Sequence, residues 1–199
     1  MIPTSEISLL GQVLGRNMQI SYVVADLDAS LRFWTEQLGA GPFVVIENAA
    51  DDRIINYRGH KTSVKMSIAF TYVGAVQIEL IAATCLDASP WTDFLHSGRE
   101  GLHHLGFWPD DYEKSCVCLE EMGFNQECTI ETTAGLISSQ YFSGPSHFGV
   151  AIELAPNSYA RNRYFEGIKH LATAWDGSRP VRRYKTREDY LASNDCKVP

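Results

Sequence analysis

The sequence predicts an α+β fold in which two βαβββ modules form a curved, cup-like mixed sheet, with a C-terminal helix added. Three observations predict it. First, a run of apolar strand, acidic turn, amphipathic helix and glycine occurs twice, at residues 19–39 (QISYVVADLDASLRFWTEQLG) and 104–123 (HLGFWPDDYEKSCVCLEEMG). Second, each copy is followed by a strand carrying Ile-Glu-Leu, VQIELI with Glu79 and VAIELA with Glu153. Third, the internal spacing is kept, since Gln19 stands seven residues before Asp26 and His104 seven before Asp111. A repeated unit of this kind dictates architecture and is read before any single element.

The elements follow in order. After an N-terminal extension (residues 1–15), the first module occupies 16–85. Its first strand runs over about 19–24 and ends at Ala25-Asp26. Asp28 can cap the helix that follows, where Leu27, Leu31, Trp34 and Leu38 recur at helical spacing until Gly39 stops it. PFVVIE (42–47), VKMSIAFTYV (64–73) and AVQIELIA (75–82) read as strands, and Gly74 makes the tight turn between the last two. A segment over 86–101, marked by Pro90, Gly98 and Gly101, reads as a linker.

The second module, 102–156, restates the first. It has a strand at 104–108, a helix over about 111–122, and strands in NQECTIE, LISSQYF and FGVAIELA, with SGPSHFG as the turn before the last. Gln19 to Glu79 spans 60 positions and His104 to Glu153 spans 49, so the first module is 11 residues longer. The excess is assigned to the polar stretch ENAADDRIINYRGHKTS. In the remaining part, 157–199, Ala160, Tyr164, Ile168, Leu171 and Trp175 describe a helix with one apolar stripe. It is expected on the outside of the sheets, followed by a basic, solvated tail (Arg179, Arg182, Arg183, Lys185, Arg187). The alternative for this region is a lid or clamp for an anionic group.

Composition excludes some functions. Acidic residues outnumber basic ones 24 to 17, for a formal net charge of −7, so nucleic acid and anionic membranes are not expected partners. No apolar run approaches the ~20 residues that span a bilayer, and no basic start feeds a signal-like apolar segment, which makes the cytoplasm the expected location. Five cysteines (Cys85, Cys116, Cys118, Cys128, Cys196) contain no C-x-x-C pair, and reduced filler residues are expected rather than disulfides or a thiolate zinc site.

Strand alternation points to a metal. In QISYVV, Gln19 shares a face with Ser21; in HLGFW, His104 shares one with Gly106; in VAIELA, Glu153 shares one with Ala151. Small neighbours on the same face leave room for a cavity. A single Gln or Glu on a strand usually faces solvent, and a single His is usually structural. His103, adjacent to His104, is expected on the opposite face, and His147 in a loop. Four candidates in equivalent slots of a duplication, two on first strands and two on last strands, are a different matter. Gln19, Glu79, His104 and Glu153 are therefore expected to hold a divalent metal. Two carboxylates balance its charge, and an amide oxygen and an imidazole complete an O/N set suited to Zn, Ni, Co, Mn or Fe(II).

The stretch from Gln19 to Pro156 resembles the vicinal oxygen chelate superfamily, which includes glyoxalase I, methylmalonyl-CoA epimerase, extradiol dioxygenases and metal-free bleomycin-resistance proteins. The resemblance implies a cup with the metal on its inner face. By position, Gln19, Glu79, His104 and Glu153 match the four family ligands, and the set is similar to that of animal-type glyoxalase I. What it implies for function is a divalent-metal isomerase, epimerase or lyase. Such an enzyme moves a proton next to a metal-chelated carbonyl of a small organic substrate, with Glu153 or Glu79 as the catalytic base. An Fe(II) extradiol-type dioxygenase and a metal-free small-molecule binding protein are the alternatives on the same scaffold. The expected partners are a substrate with vicinal oxygens or a carbonyl and, by analogy with the family, a second copy of the chain in a homodimer.

Overall fold

The computed structural model describes residues 9–15 and 17–197; most of the expected N-terminal extension, residues 1–8, lies outside them. A short helix α1 (Leu9–Leu14) precedes β1 (Asn17–Val23). Helix α2 (Leu27–Arg32) starts where the Asp26 carboxylate, rather than that of Asp28, accepts from the Ala29 amide at 2.8 Å. It runs on as a π-helical turn over Phe33–Gln37. Then come β2 (Phe43–Ile46), β3 (Arg53–Tyr57), β4 (His60–Thr62), β5 (Met66–Val73), β6 (Val76–Ala83) and helix α3 (Pro90–His96). The second module follows as β7 (Gly101–Phe107), α4 (Tyr112–Glu121), β8 (Asn125–Thr132), β9 (Ile137–Ser143) and β10 (Ala151–Leu154). Helix α5 (Tyr159–Thr173), β11 (Val181–Tyr184), α6 (Arg187–Ala192) and a 3-10 turn (Asn194–Cys196) are the last elements among the described residues.

The described strands form one mixed sheet of 11, in the order β11-β2-β5-β6-β1-β7-β10-β9-β8-β3-β4. Its symmetry follows the duplication. β1-β6-β5-β2 in the first module has the same order as β7-β10-β9-β8 in the second, each first strand lying parallel to its last, and antiparallel β1 and β7 join the halves. This arrangement puts the first and last strands of both modules side by side at the centre.

Three segments are more ordered than the sequence suggests. The polar insertion contains a hairpin, β3 and β4, because RIINY alternates: Ile55 and Tyr57 are buried while Arg53, Ile54 and Asn56 are partly exposed. β3 pairs antiparallel with β8 and so covers the outer edge of the second module. The linker contains α3, capped by Ser89, whose Trp91 is fully buried. The basic tail is no solvated strand of chain either. β11 runs parallel to β2 and covers the outer edge of the first module, and α6 buries Tyr190 under a Thr186–Asp189 capping box. Both outer edges that could pair with a second copy are thus covered within one chain.

The basic residues of the tail clip it in place. Asp195 accepts from Arg182 at 2.7 Å and from the Tyr184 hydroxyl at 2.5 Å, Arg183 pairs with Asp28, and Arg187 donates to Asp52 and to the Ala49 carbonyl, both at 2.6 Å. Helix α5 lies against β5 and β2, with Phe165 5.3 Å and Tyr164 6.3 Å from Phe70. Phe70 faces Glu79 across the β5–β6 ladder. Directly paired residues share a face, so α5 covers the face that carries the candidate ligands and not the outside of the sheet. All five cysteines are free thiols.

Candidate functional site

The ladder registers bring the four predicted ligands to the centre of the sheet. Gln19 is flanked by Gln77 on β6 and Gly106 on β7; Ser21 is flanked by Glu79 and His104; His104 faces Ala151 and Gly106 faces Glu153 on β10. One face of four adjacent strands therefore carries all four groups. Small residues form the floor between them, and the fit is tight: a Cβ built on Gly106 would stand 2.8 Å from Gln19 Oε1.

The side chains meet at His104 Nε2. It lies 3.4 Å from Glu79 Oε2, 3.4 Å from Glu153 Oε2 and 3.3 Å from Gln19 Oε1. Exposure is 3% for Gln19, 5% for Glu79, 0% for His104 and 8% for Glu153, so the cluster is closed to solvent. Burial by itself would lower the His104 pKa, but the two carboxylates outweigh it and raise it to about 9. Burial would raise Glu153, whereas His104, Arg161 and Ser139 hold it below the ordinary carboxylate value. Glu79 Oε2 is buried without a hydrogen-bond partner; at 3.4 Å its contact with His104 is ionic in character.

A surrounding layer aims the donors. Gln19 Nε2 donates to Gln77 Oε1 at 2.7 Å and Gln77 Nε2 to the Tyr72 hydroxyl at 3.0 Å, which turns Gln19 Oε1 towards His104. His104 Nδ1 lies 3.0 Å from His103 Nδ1. Burial, with the neighbouring His104 charge, pushes the His103 pKa down to about 3, so its ring is neutral and has one N–H. Given to the Pro90 carbonyl, that proton leaves Nδ1 to accept from His104. With Nδ1 committed to His103, the Nε2 proton is the one held between the carboxylates, and its loss would leave the Nε2 lone pair that a metal ligand needs.

His103 is the residue that sequence reasoning placed wrongly. Ser21 pairs with His104 but Tyr22 pairs with Leu102, so His103 is the extra residue of a bulge and escapes strict alternation. Its ring packs 5.2 Å from that of His104. Gln77, Tyr72 and Tyr141 were also missed. Tyr141, directly across from Glu153, packs 4.9 Å from the His104 ring, and burial with the nearby Glu153 carboxylate holds its hydroxyl protonated. Arg161 on α5 comes within electrostatic range of Glu153, donates to the Ser138 carbonyl at 2.5 Å and lies over Trp108. Alternation around Glu153 exposes the pairing of Tyr141; nothing local marks Arg161.

The donor set fits a divalent ion. Neighbouring donors of one ion with bonds of about 2.0–2.1 Å stand about 3.0–3.4 Å apart, the size of the separations around His104 Nε2, and the unpartnered Glu79 oxygen is a vacant donor. Among the described residues no group of three or more His, Cys, Asp or Glu side chains is placed to hold an ion as it stands, so loading one would require Glu79 and Glu153 to shift from their contacts with His104.

Comparison with known proteins agrees with this architecture. Residues 18–142 match the Glyoxalase/Bleomycin resistance protein/Dioxygenase superfamily. Among solved structures, a hypothetical protein from Bacillus halodurans is 19% identical, with a TM-score of 0.53 over 72% of this chain and 94% of its own. A substituted Streptomyces coelicolor methylmalonyl-CoA epimerase in complex with 2-nitronate-propionyl-CoA is 19% identical, with a TM-score of 0.51 over 72% and 95%. A methylmalonyl-CoA epimerase in complex with methylmalonyl-CoA and NH4+ has the same identity, TM-score and coverage. At these identities the likeness is one of fold. No curated protein matches the chain, and no helix among the described residues is long and apolar enough to cross a membrane.

Proposed function

Since the chain belongs to the Glyoxalase/Bleomycin resistance protein/Dioxygenase superfamily, we propose that it is a divalent-metal enzyme of the isomerase, epimerase or lyase type, moving a proton next to the carbonyl of a small organic substrate. The observation that carries this reading is the convergence of Glu79, Glu153 and Gln19 on His104 Nε2 at 3.3–3.4 Å in a site closed to water. Gln19, Glu79, His104 and Glu153 would hold the ion, one of Zn, Ni, Co, Mn or Fe(II). Bound there, it would supply Lewis acidity to the substrate carbonyl.

The residues themselves divide the remaining work. Glu79 would give Oε2 to the ion, and its other carboxylate oxygen is then the one to take a proton from carbon. Glu153 is held ionised by His104, Arg161 and Ser139 and faces Tyr141 across the β9–β10 ladder. It can take the same proton from the other side of the pseudo-twofold axis. Two carboxylates on opposite last strands suit proton removal on one side and return on the other. Closure by α5 excludes water, and admitting a substrate requires residues of that helix to move.

One observation favours a second reading. The two carboxylates already converge on a His104 proton, a partner that a metal-free small-molecule binding protein on this scaffold would use in place of an ion. Elemental analysis of the purified protein beside His104→Ala and Glu153→Ala separates the two. About one equivalent of Zn, Ni, Co or Mn that disappears in both variants supports the enzyme. Iron together with oxygen uptake turns the reading to a dioxygenase. No metal, and none taken up on reconstitution, leaves the binding protein.

A further inference from the structure

A cleft of about 510 Å3 opens between α3, the turn joining β3 to β4 and the turn joining β9 to β10. The volume is that of sites for small organic ligands. None of the four candidate metal ligands lines it; it meets their surroundings only through His103, Tyr141 and Ala151. Its wall holds two cations in different states. Arg58 is neutralised by Asp93 at 3.1 Å and Glu127 at 3.7 Å. Arg99 has no carboxylate within 4 Å among the described residues. Its guanidinium is laid over the Phe94 ring at 4.4 Å and pinned there by Nε donating to Ser97 Oγ at 3.0 Å. Neighbouring Glu100 is turned away, accepting from the Ala25 amide at 3.0 Å.

A guanidinium with its Nε fixed and its plane stacked on an aromatic ring is preorganised, and its terminal N–H groups match a carboxylate. Pro90, Pro145 and Val150 are half-buried and supply apolar surface inside the same cleft. We propose that this cleft is a second ligand site, separate from the metal cluster, that binds a small aromatic carboxylate with the acid on Arg99 and the ring against Pro90, Pro145 and Val150. The site does not depend on a metal, so it stands or falls apart from the proposed activity.

The test is calorimetric titration of phenylacetate, and of its neutral isostere phenylacetamide, into the full chain freed of metal by chelation. Phenylacetate is expected to saturate one site and the amide to bind on the order of tenfold more weakly, the value of one charge-assisted pair. Arg99→Gln should remove the preference for the acid, and Ser146→Trp, on the exposed turn at the cleft mouth, should block both ligands. Absence of saturable phenylacetate binding overturns the proposal. So does an acid preference that survives Arg99→Gln, or binding that persists in Ser146→Trp.

Discussion

Replacing Gly106 by Ala tests the site at its narrowest point. The new Cβ would stand 2.8 Å from Gln19 Oε1, 2.9 Å from Gln19 Cβ and 3.4 Å from Gln19 Cδ. The first distance is about 0.6 Å short of ordinary van der Waals contact, and the second involves an atom that no rotation of the Gln19 side chain can move. β1 and β7 must therefore separate, and they are the strands that join the two modules. Gly106 has no left-handed φ, so the effect is steric and not conformational. Overpacking of this kind costs about 1–3 kcal/mol. For a chain of this size it lowers Tm by roughly 2–4 °C per kcal/mol. Turning Gln19 away from His104 should also weaken metal uptake on the order of 10–100-fold, as disturbed support of a ligand does. The assay is metal content by elemental analysis together with a thermal melt of the same preparation. A Gly106→Ala protein that melts and loads metal like the parent refutes the argument that Gly106 makes room for a ligand.

Other changes probe the surrounding structure. Gln77→Leu leaves Gln19 Nε2 without its 2.7 Å acceptor and should cost about 1–3 kcal/mol and weaken metal uptake, read by denaturant melts and metal titration. In metal-free protein His104 has a folded pKa of about 9, above its unfolded value of about 6.5. Its contribution to stability is therefore fully present below pH ~6.5 and lost as pH rises through about 9. Since a metal must displace that proton, affinity should climb over the same window and level off above it, as measured by metal titration at several pH values. Glu153, with a lowered folded pKa, contributes stability present above its unfolded value and lost as pH falls through the folded one, visible as acid destabilisation that Glu153→Gln abolishes. Asp195→Ala strands the mostly buried Arg182 and should cost about 3 kcal/mol in a urea titration, loosening β11 with it. Ile168→Ala, at a fully buried position on α5, should cost about 2–5 kcal/mol and raise hydrogen exchange in the segment that covers the site.

The duplication was legible because its signals are local. Apolar alternation in QISYVV and VAIELA, the acidic caps before α2 and α4, and Gly39 and Gly123 after the two helices repeat in register, and a repeat of that kind leaves few architectures open. The same alternation placed Gln19, Glu79, His104 and Glu153 on one face, where the structure brings them together. Alternation failed at His103, because a bulge is decided by how two strands pair and not by either strand alone. It also failed for the tail. RRYK reads as solvated until β2 offers an edge and Asp28, Asp52 and Asp195 offer counter-charges 155, 135 and 13 positions away in sequence.

What the sequence by itself determined is the family, the order of the two βαβββ units and the four polar groups that face one another. These depend on periodicities of two and 3.6 residues, which any local window contains. Only the tertiary structure decided that Gln77 and His103 aim the donors, that the insertion and the tail close the outer edges of the sheet, and that α5 seals the site and carries Arg161 to it. Each of these arises from contacts between segments far apart in the chain, whose free energy depends on pairing and burial that no local pattern encodes.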